Sequence, residues 1–381
     1  MTSRRGVLKL IGGGVVLAAA SAGGFIALNQ PSVAAREAWR LAGQETEYRR
    51  RFLSYALLAP NPHNRQPWLV ELEGGDALTL YVDLERRLPA TDPFDRQIII
   101  GCGAFLELLR LSAAEEGYDT EISSFPEGAP ALDGRLDARP VAHVRFIPDK
   151  VKADPLFAYV LNRHTNREVY EPRDVEPEKL AALVAAGSVY GVTVRTCGND
   201  QTAERLRDLT WRGHERESTT AYTMQESIDL MRIGPAETNL YRDGISLESP
   251  FLALGKLVGA VSKEALADPA SAAFKQGLDM YRPMAASARA FVWMLNDGAS
   301  REGQIDAGRA YMRLTLETAA HGLVVHPWSQ ALQEYPEIAD LYRDLHELVG
   351  DGQRLQMLVR VGYAKPVVPA PRRGLEAHML S

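Results

Sequence analysis

The chain has 381 residues, 46% hydrophobic and 24% charged, with 43 Lys and Arg against 49 Asp and Glu for a formal charge of -6. That length suits two domains or one domain of two similar halves. The composition excludes bulk disorder and a fibre, and the mild acidic balance excludes general nucleic-acid binding. An anionic ligand must therefore be gripped by a local arginine cluster. The two cysteines, Cys102 and Cys197, do not make a disulfide scaffold. Cys102, in an apolar run, reads as a small buried hydrophobe.

In chain order the first element is an address, residues 1–35. Arg4, Arg5 and Lys9 give a positive start, Leu10 to Leu28 carries no charge, and Ser32-Val33-Ala34 offers a small-x-small cleavage pattern. Ser3-Arg4-Arg5-Gly6-Val7-Leu8-Lys9 resembles the twin-arginine consensus, with Val7 where Phe is usual. This implies the twin-arginine machinery as partner, export to the periplasm or beyond, membrane contact only through the signal, and a cofactor inserted before export. The alternatives are a plain secretory signal or an uncleaved anchor.

A helix is predicted from Arg36 to about Leu58, stopped by Ala59-Pro60-Asn61-Pro62. A hairpin follows, Trp68 to Leu72 and Leu78 to Val82, then a helix from Gln97 to Glu116 and a strand from Val141 to Ile147. These make a first α+β half, residues 36–150. A second half, residues 151–376, opens with a helix from Asp154 toward Arg163. It continues with helices at Pro177–Ala186 and Gln201–Ser218, a strand at Val192–Thr196, a poorly patterned lid-like insertion at 219–288, a strand at Ala290–Leu295, a helix at Gln304–His321 and a strand at Leu355–Val361.

Three segments carry polar groups that a plain fold would not need. In Pro60-Asn61-Pro62-His63-Asn64-Arg65-Gln66, prolines stiffen a loop bearing the amides of Asn61, Asn64 and Gln66. Such a loop either reads the edge of a planar heteroaromatic or is a well-capped turn. Arg163 and Arg167, four apart with Thr165 between, either converge on a phosphate or form an exposed basic turn. Arg372 and Arg373 close the chain as a basic tail. His321 and His326 flank a glycine turn at a spacing unsuited to zinc, and neither a Rossmann glycine loop nor a Gly-x-Ser-x-Gly elbow is present.

Taken together, these segments resemble the nitroreductase superfamily of FMN proteins, in its Acg-like branch. The resemblance rests on Ala59 to Trp68, on Arg163 to Arg167 with Tyr170, on Gly308 to Pro327, on Asp92-Pro93 through Ala104, and on the closing Arg360 to Arg373. It implies an α+β fold of two fused nitroreductase-like halves, an internal pseudo-dimer able to work as a monomer. It implies one FMN between the halves, with Pro60, Asn61, Asn64, Gln66, Arg163, Thr165, Arg167, Gly322, Leu323, Pro327, Arg372 and Arg373 around it, no metal, and chemistry centred on the flavin that requires no general acid from the protein. The expected activity is two-electron reduction of a small-molecule acceptor, nitroaromatic or quinone-like, with NAD(P)H as possible donor. The alternative is a flavin-sequestering protein closed by its lid.

Overall fold

The computed structural model describes residues 28–149 and 151–380; the leader expected at 1–35 lies outside the described residues up to position 27. From Ser32 onward the chain is packed on the fold: Ala35 is fully buried and accepts from the Arg372 amide, although the sequence reading places it in the leader.

The elements are α1 (Glu37–Leu41), α2 (Tyr48–Ala56), β1 (Trp68–Glu73), β2 (Ala77–Val82), α3 (Arg96–Glu115), β3 (Tyr118–Ser124) and β4 (Ala142–Pro148) in the first part of the chain. In the second come α4 (Pro177–Gly187), β5 (Thr193–Cys197), α5 (Gln201–Thr219), α6 (Ala221–Leu230), β6 (Met231–Ile233), α7 (Pro235–Tyr241), β7 (Ile245–Leu247), α8 (Pro250–Leu257), α9 (Lys263–Ala267) and α10 (Ala272–Ala286). The chain ends with β8 (Ala290–Asn296), α11 (Arg301–Ala320), β9 (Val324–Pro327), α12 (Ala339–Val349) and β10 (Arg354–Gly362).

Two four-stranded antiparallel sheets repeat one topology. The first has the order β1-β2-β4-β3 and the second β5-β8-β10-β9, each with a long helix after its second strand and a shorter helix before its first. The β1–β2 hairpin turns through Gly74-Gly75, whereas β5 and β8 are separated by α5 to α10. The insertion therefore occupies the place of a tight turn.

The two long helices α3 and α11 cross at their glycines. A Cβ on Gly103 would lie 2.1 Å from Ile305 O, and one on Gly308 would lie 2.0 Å from Ile100 O, so only glycine permits this approach. By length and composition α3 could cross a membrane, but its apolar face is buried in the protein core.

Burial follows the sequence pattern. Strand β4 alternates, its apolar side chains facing a core of Phe52, Trp68, Leu80, Phe105 and Phe146. Strand β8 is buried throughout, because α4 and α11 cover one face of its sheet and α5 and α12 the other.

Two expectations change. The single helix expected from Arg36 to Leu58 is two, broken where Gly43 takes φ +82 and Glu47 caps α2 by accepting from Arg50 N. The segment after Asp154 is a short 3-10 turn, Pro155–Tyr159. The insertion is built of loops and short helices, with the two short strands β6 and β7 among them.

Candidate functional site

The loop after α2 winds tightly. His63, Asn64 and Gln66 all take left-handed φ, at 47, 52 and 49 degrees. Its amides hold this shape. Asn61 Oδ1 accepts from Gln66 N at 2.7 Å, and Asn61 Nδ2 donates to Ala59 O. Asn64 Nδ2 donates to Pro371 O while its Oδ1 accepts from Arg372. Gln66 is fully buried; it donates to Arg242 O and accepts from Arg373 N. Pro60 is buried beside them. These three side chains thus join loop, tail and insertion; a ligand here would meet the loop's backbone, or replace one of these bonds.

The arginines come from the second half and the tail. Arg372 spans the end of α2, donating to Leu57 O, Leu58 O and Ala59 O. Arg163 reaches the same Leu58 O at 3.2 Å, and its Nη1 is buried with no hydrogen-bond partner. Thr165 is fixed by a parallel bridge to Val325 and Asn166 by a bond to Lys365 O. Arg167 is exposed at its tip, yet its charge bears on His63, Tyr170, Tyr281, Tyr311, His326 and Arg360. Arg360 lies 4.0 Å over the Tyr170 ring and donates to His326 Nδ1.

Among the described residues none of Arg163, Arg167, Arg360 and Arg372 forms an ion pair with a carboxylate. Burial pushes Arg163 down to about 10, and burial with the Arg163 charge pushes Arg372 down to about 9. Both stay charged at neutral pH, so the protein holds uncompensated positive charge in a desolvated place. His63 and His164 respond by staying neutral, each held down to about 4 by burial and then by neighbouring arginines. Their Nδ1 atoms, like Tyr311 Oη and Arg373 Nη1, are buried without a partner. Orphaned donors around open cationic charge fit a phosphate-bearing ligand.

The insertion covers this place. Gly244 N donates to Asn64 O, and Asp243 is buried between Arg232, Arg86 and Arg65 at 2.9, 2.7 and 3.4 Å. Glu226 accepts from Ala90 N, Thr91 N and the Thr91 hydroxyl. His214 and Tyr281 bring a ring pair 4.2 Å apart against Trp328.

The other expected residues are placed unequally. Pro327 ends β9 beside His326, at the border of the cluster. Gly322 is an exposed turn with φ +66 next to the bond from Lys179 to His321 O, and Leu323 packs into the second core; both shape the end of α11 and neither is among the residues joined by the bonds above. Arg373 turns toward the Asp243 group while Arg372 faces Arg163. His63, His164, Tyr311, His326 and Arg360 lie in segments the sequence singles out but were not assigned to the site, and His214 and Tyr281 lie outside those segments. Sheet and helix geometry brings them to one point.

Fold and junction together define an α+β protein of two repeated four-stranded sheets with an arginine-lined junction. Over 351 residues, 87% of this chain and 90% of the relative, it is 25% identical to a Mycobacterium tuberculosis protein named "Putative NAD(P)H nitroreductase". It is 31% identical over 154 residues, 40% of this chain and 43% of the relative, to the protein of that organism named "Putative NAD(P)H nitroreductase acg". Over 140 residues, 35% of this chain and 37% of the relative, it is 27% identical to "Probable NAD(P)H nitroreductase PigM" of a Serratia. Among solved structures it is similar to the FMN-dependent nitroreductase NfnB of Mycobacterium smegmatis, at 20% identity and TM-score 0.35, over 57% of this chain and 92% of that one. No family model matches the chain.

Proposed function

We propose that the chain binds one FMN at this junction and acts as an NAD(P)H-type oxidoreductase on a small-molecule acceptor, nitroaromatic or quinone-like. The observation that carries this is the group of four arginines without a carboxylate, with Arg163 Nη1 left unpaired. Arg163, Arg167 and Arg372 would hold the phosphate, Thr165 would flank it, and the loop from Pro60 to Gln66 would line the ring system. The flavin, when bound, supplies two-electron exchange. The chain's own residues would bind, orient and exclude water: Tyr170 lies under Arg360 and Tyr311 within reach of the Arg163 charge, neutral His63 and His164 add no charge, and the insertion would cover the ligand. The repeated sheet order supports two fused halves that provide within one chain what a dimer would provide between two. The leader adds twin-arginine export to this reading.

A second reading is storage of the flavin with little turnover. It is favoured by the contact of Gly244 and Arg242 with Asn64 and Gln66, which seals the loop. The absorption spectrum of purified protein tests the common ground: flavin bands with one FMN released per chain are expected, and their absence, or FAD, rejects both readings. Bleaching by NADPH then supports turnover with that donor; bleaching by dithionite alone supports storage or a donor other than NADPH.

A further inference from the structure

The insertion has a second face that the junction does not use. Helix α8 begins at its cap Ser249, whose side chain accepts from Leu252 N. Phe251, Leu254, Leu257 and Val258 recur at helical spacing and form one stripe. A surface helix normally turns such a stripe inward. Here it points to solvent: Phe251 is 86% exposed, Leu257 71% and Val258 68%, and no residue of α8 is buried. Leu252, Ala253 and Gly255 are half-buried, and the exposed Lys256 pairs with Glu237 and bonds to Ile233 O. Leu240, 74% exposed, and Tyr241 at the end of α7 are further exposed apolar side chains. An exposed apolar stripe of this kind marks an interaction surface.

The route of the chain says what covers it. Glu248, immediately before the α8 cap, accepts from Ser32 N at 2.7 Å and pairs with Arg36 at 2.6 Å. The described N-terminal segment therefore lies beside the first turn of α8. Four residues before Ser32 lies Leu28, also exposed, within about 14 Å by the reach of an extended chain. In the sequence, Leu10 to Leu28 carries no charged residue, a composition and length suited to the hydrocarbon of a bilayer. The described chain thus begins near the apolar stripe, and the sequence that precedes it is an uncharged apolar stretch.

We propose that the α8 stripe is a membrane-docking surface whose partner is a phospholipid bilayer. The inference does not rest on the flavin. It would place the outer face of the insertion on lipid while the inner face covers the junction, so that lipid contact and access to the covered site involve one structural unit.

The test uses the full chain and a single reporter. Cys102 and Cys197 are buried and their thiols are pushed up to about 12 and 11 by desolvation, so a new surface cysteine is labelled selectively. Leu257→Cys and, separately, Phe251→Cys are labelled with an environment-sensitive dye and mixed with phosphatidylcholine vesicles, with and without a spin-labelled lipid. Asp133→Cys, in an exposed turn of the first half, is the comparison. The expected result is a blue shift and quenching at 251 and 257 and neither at 133. Dyes at 251 and 257 that stay in water while the protein floats with the vesicles overturn the proposal, because the leader then anchors without α8. A blue shift before lipid is added overturns it in favour of a protein occupant: a second copy if the shift grows with concentration, the chain's own leader if it does not. Equal quenching at 133 also overturns it, as non-specific adsorption. Flavin content, read separately, reports on the junction and is expected to be unchanged.

Discussion

The repeated topology puts two loops in equivalent places, and the chain uses them in opposite ways. The loop between α2 and β1 meets Arg163 and Arg372, which find carbonyls, one side-chain amide and no carboxylate. The loop between α4 and β5 carries Tyr190, also with left-handed φ at 56 degrees. There Arg309 lies 3.8 Å over the Tyr190 ring, and Arg110, Arg309 and Arg313 surround fully buried Glu107 at 2.7, 3.3 and 3.3 Å. Tyr190 donates to the same carboxylate, and Asp154 takes Arg313 at 2.6 Å. An open cleft of about 570 Å³, lined by Arg110, Asp154 and Arg313, adjoins this group, whereas the unpaired arginines sit under the insertion. Cleft size would favour the second place; charge balance favours the first. An arginine cluster is available to an external anion only where the protein leaves its charge unmatched.

Removing the internal carboxylate should break this difference most forcefully. Glu107→Ala leaves half-buried Arg110, Arg309 and Arg313 without the carboxylate they share, at an expected loss of up to about 3–5 kcal/mol in urea unfolding. Millimolar phosphate should restore part of that loss in the variant, because the second place then resembles the first. A loss under about 1 kcal/mol, or no response to phosphate beyond that of the parent, would show that the two places never differed in charge balance. Arg167→Ala, by contrast, should leave the fold intact and weaken FMN by about 1.5–3 kcal/mol, roughly tenfold to over a hundredfold, with riboflavin little affected. Titration of apo-protein by flavin fluorescence reads both ligands, and equal weakening of the two would assign the segment a structural role only. Arg65 is unsuitable as a neutral comparison, since it holds Asp243 of the insertion; exposed Arg145, paired with Glu121, serves.

Much of the frame was legible in the sequence because it rests on local rules. The hairpin at Gly74-Gly75, the helices at Arg96–Glu115 and Arg301–Ala320 and the strand at Ala290–Asn296 all fall where periodicity and punctuation put them. The break at Gly43 escaped, because a left-handed glycine between two helical stretches leaves the apolar spacing nearly undisturbed. So did β3, whose alternation of half-buried and exposed residues gives little apolar signal. At the junction, residues in named segments such as Arg163 and Arg372 could be singled out. Tyr311, His326 and Arg360, though within named segments, could not be given a role there, because each acquires its meaning only from a partner far along the chain. The amides of Asn61, Asn64 and Gln66 were legible as unusual, but whether they serve a ligand or the loop depends on Pro371, Arg372 and Arg242, which no local pattern connects to them.

The third and smallest test uses the opposite mismatch, a buried carboxylate with no arginine. Glu217 on α5 accepts from Gln333 Nε2 at 2.9 Å and from Ser227 Oγ at 3.3 Å. Burial raises it from 4.5 to about 7, which the two hydrogen bonds only partly offset. The sign follows from proton binding. Between pH 4.5 and 7 the folded state binds more protons than the unfolded, so this group's contribution declines as pH rises through that window, by at most about 1.4 kcal/mol per unit. Glu217→Gln has no such proton to lose. The difference in unfolding free energy, variant minus parent, should therefore increase from pH 5 to pH 8, even if the substitution is unfavourable at pH 5. The buried histidines lean the other way, since His63, His164 and His214 are held down to about 4 and cost stability as pH falls from 6.5. Taking the variant-minus-parent difference cancels that slope. A flat difference across pH 5 to 8 would mean that water or a cation reaches Glu217. Charge balance inside this chain would then have to be argued with solvent present, at the insertion as well as at the arginine junction.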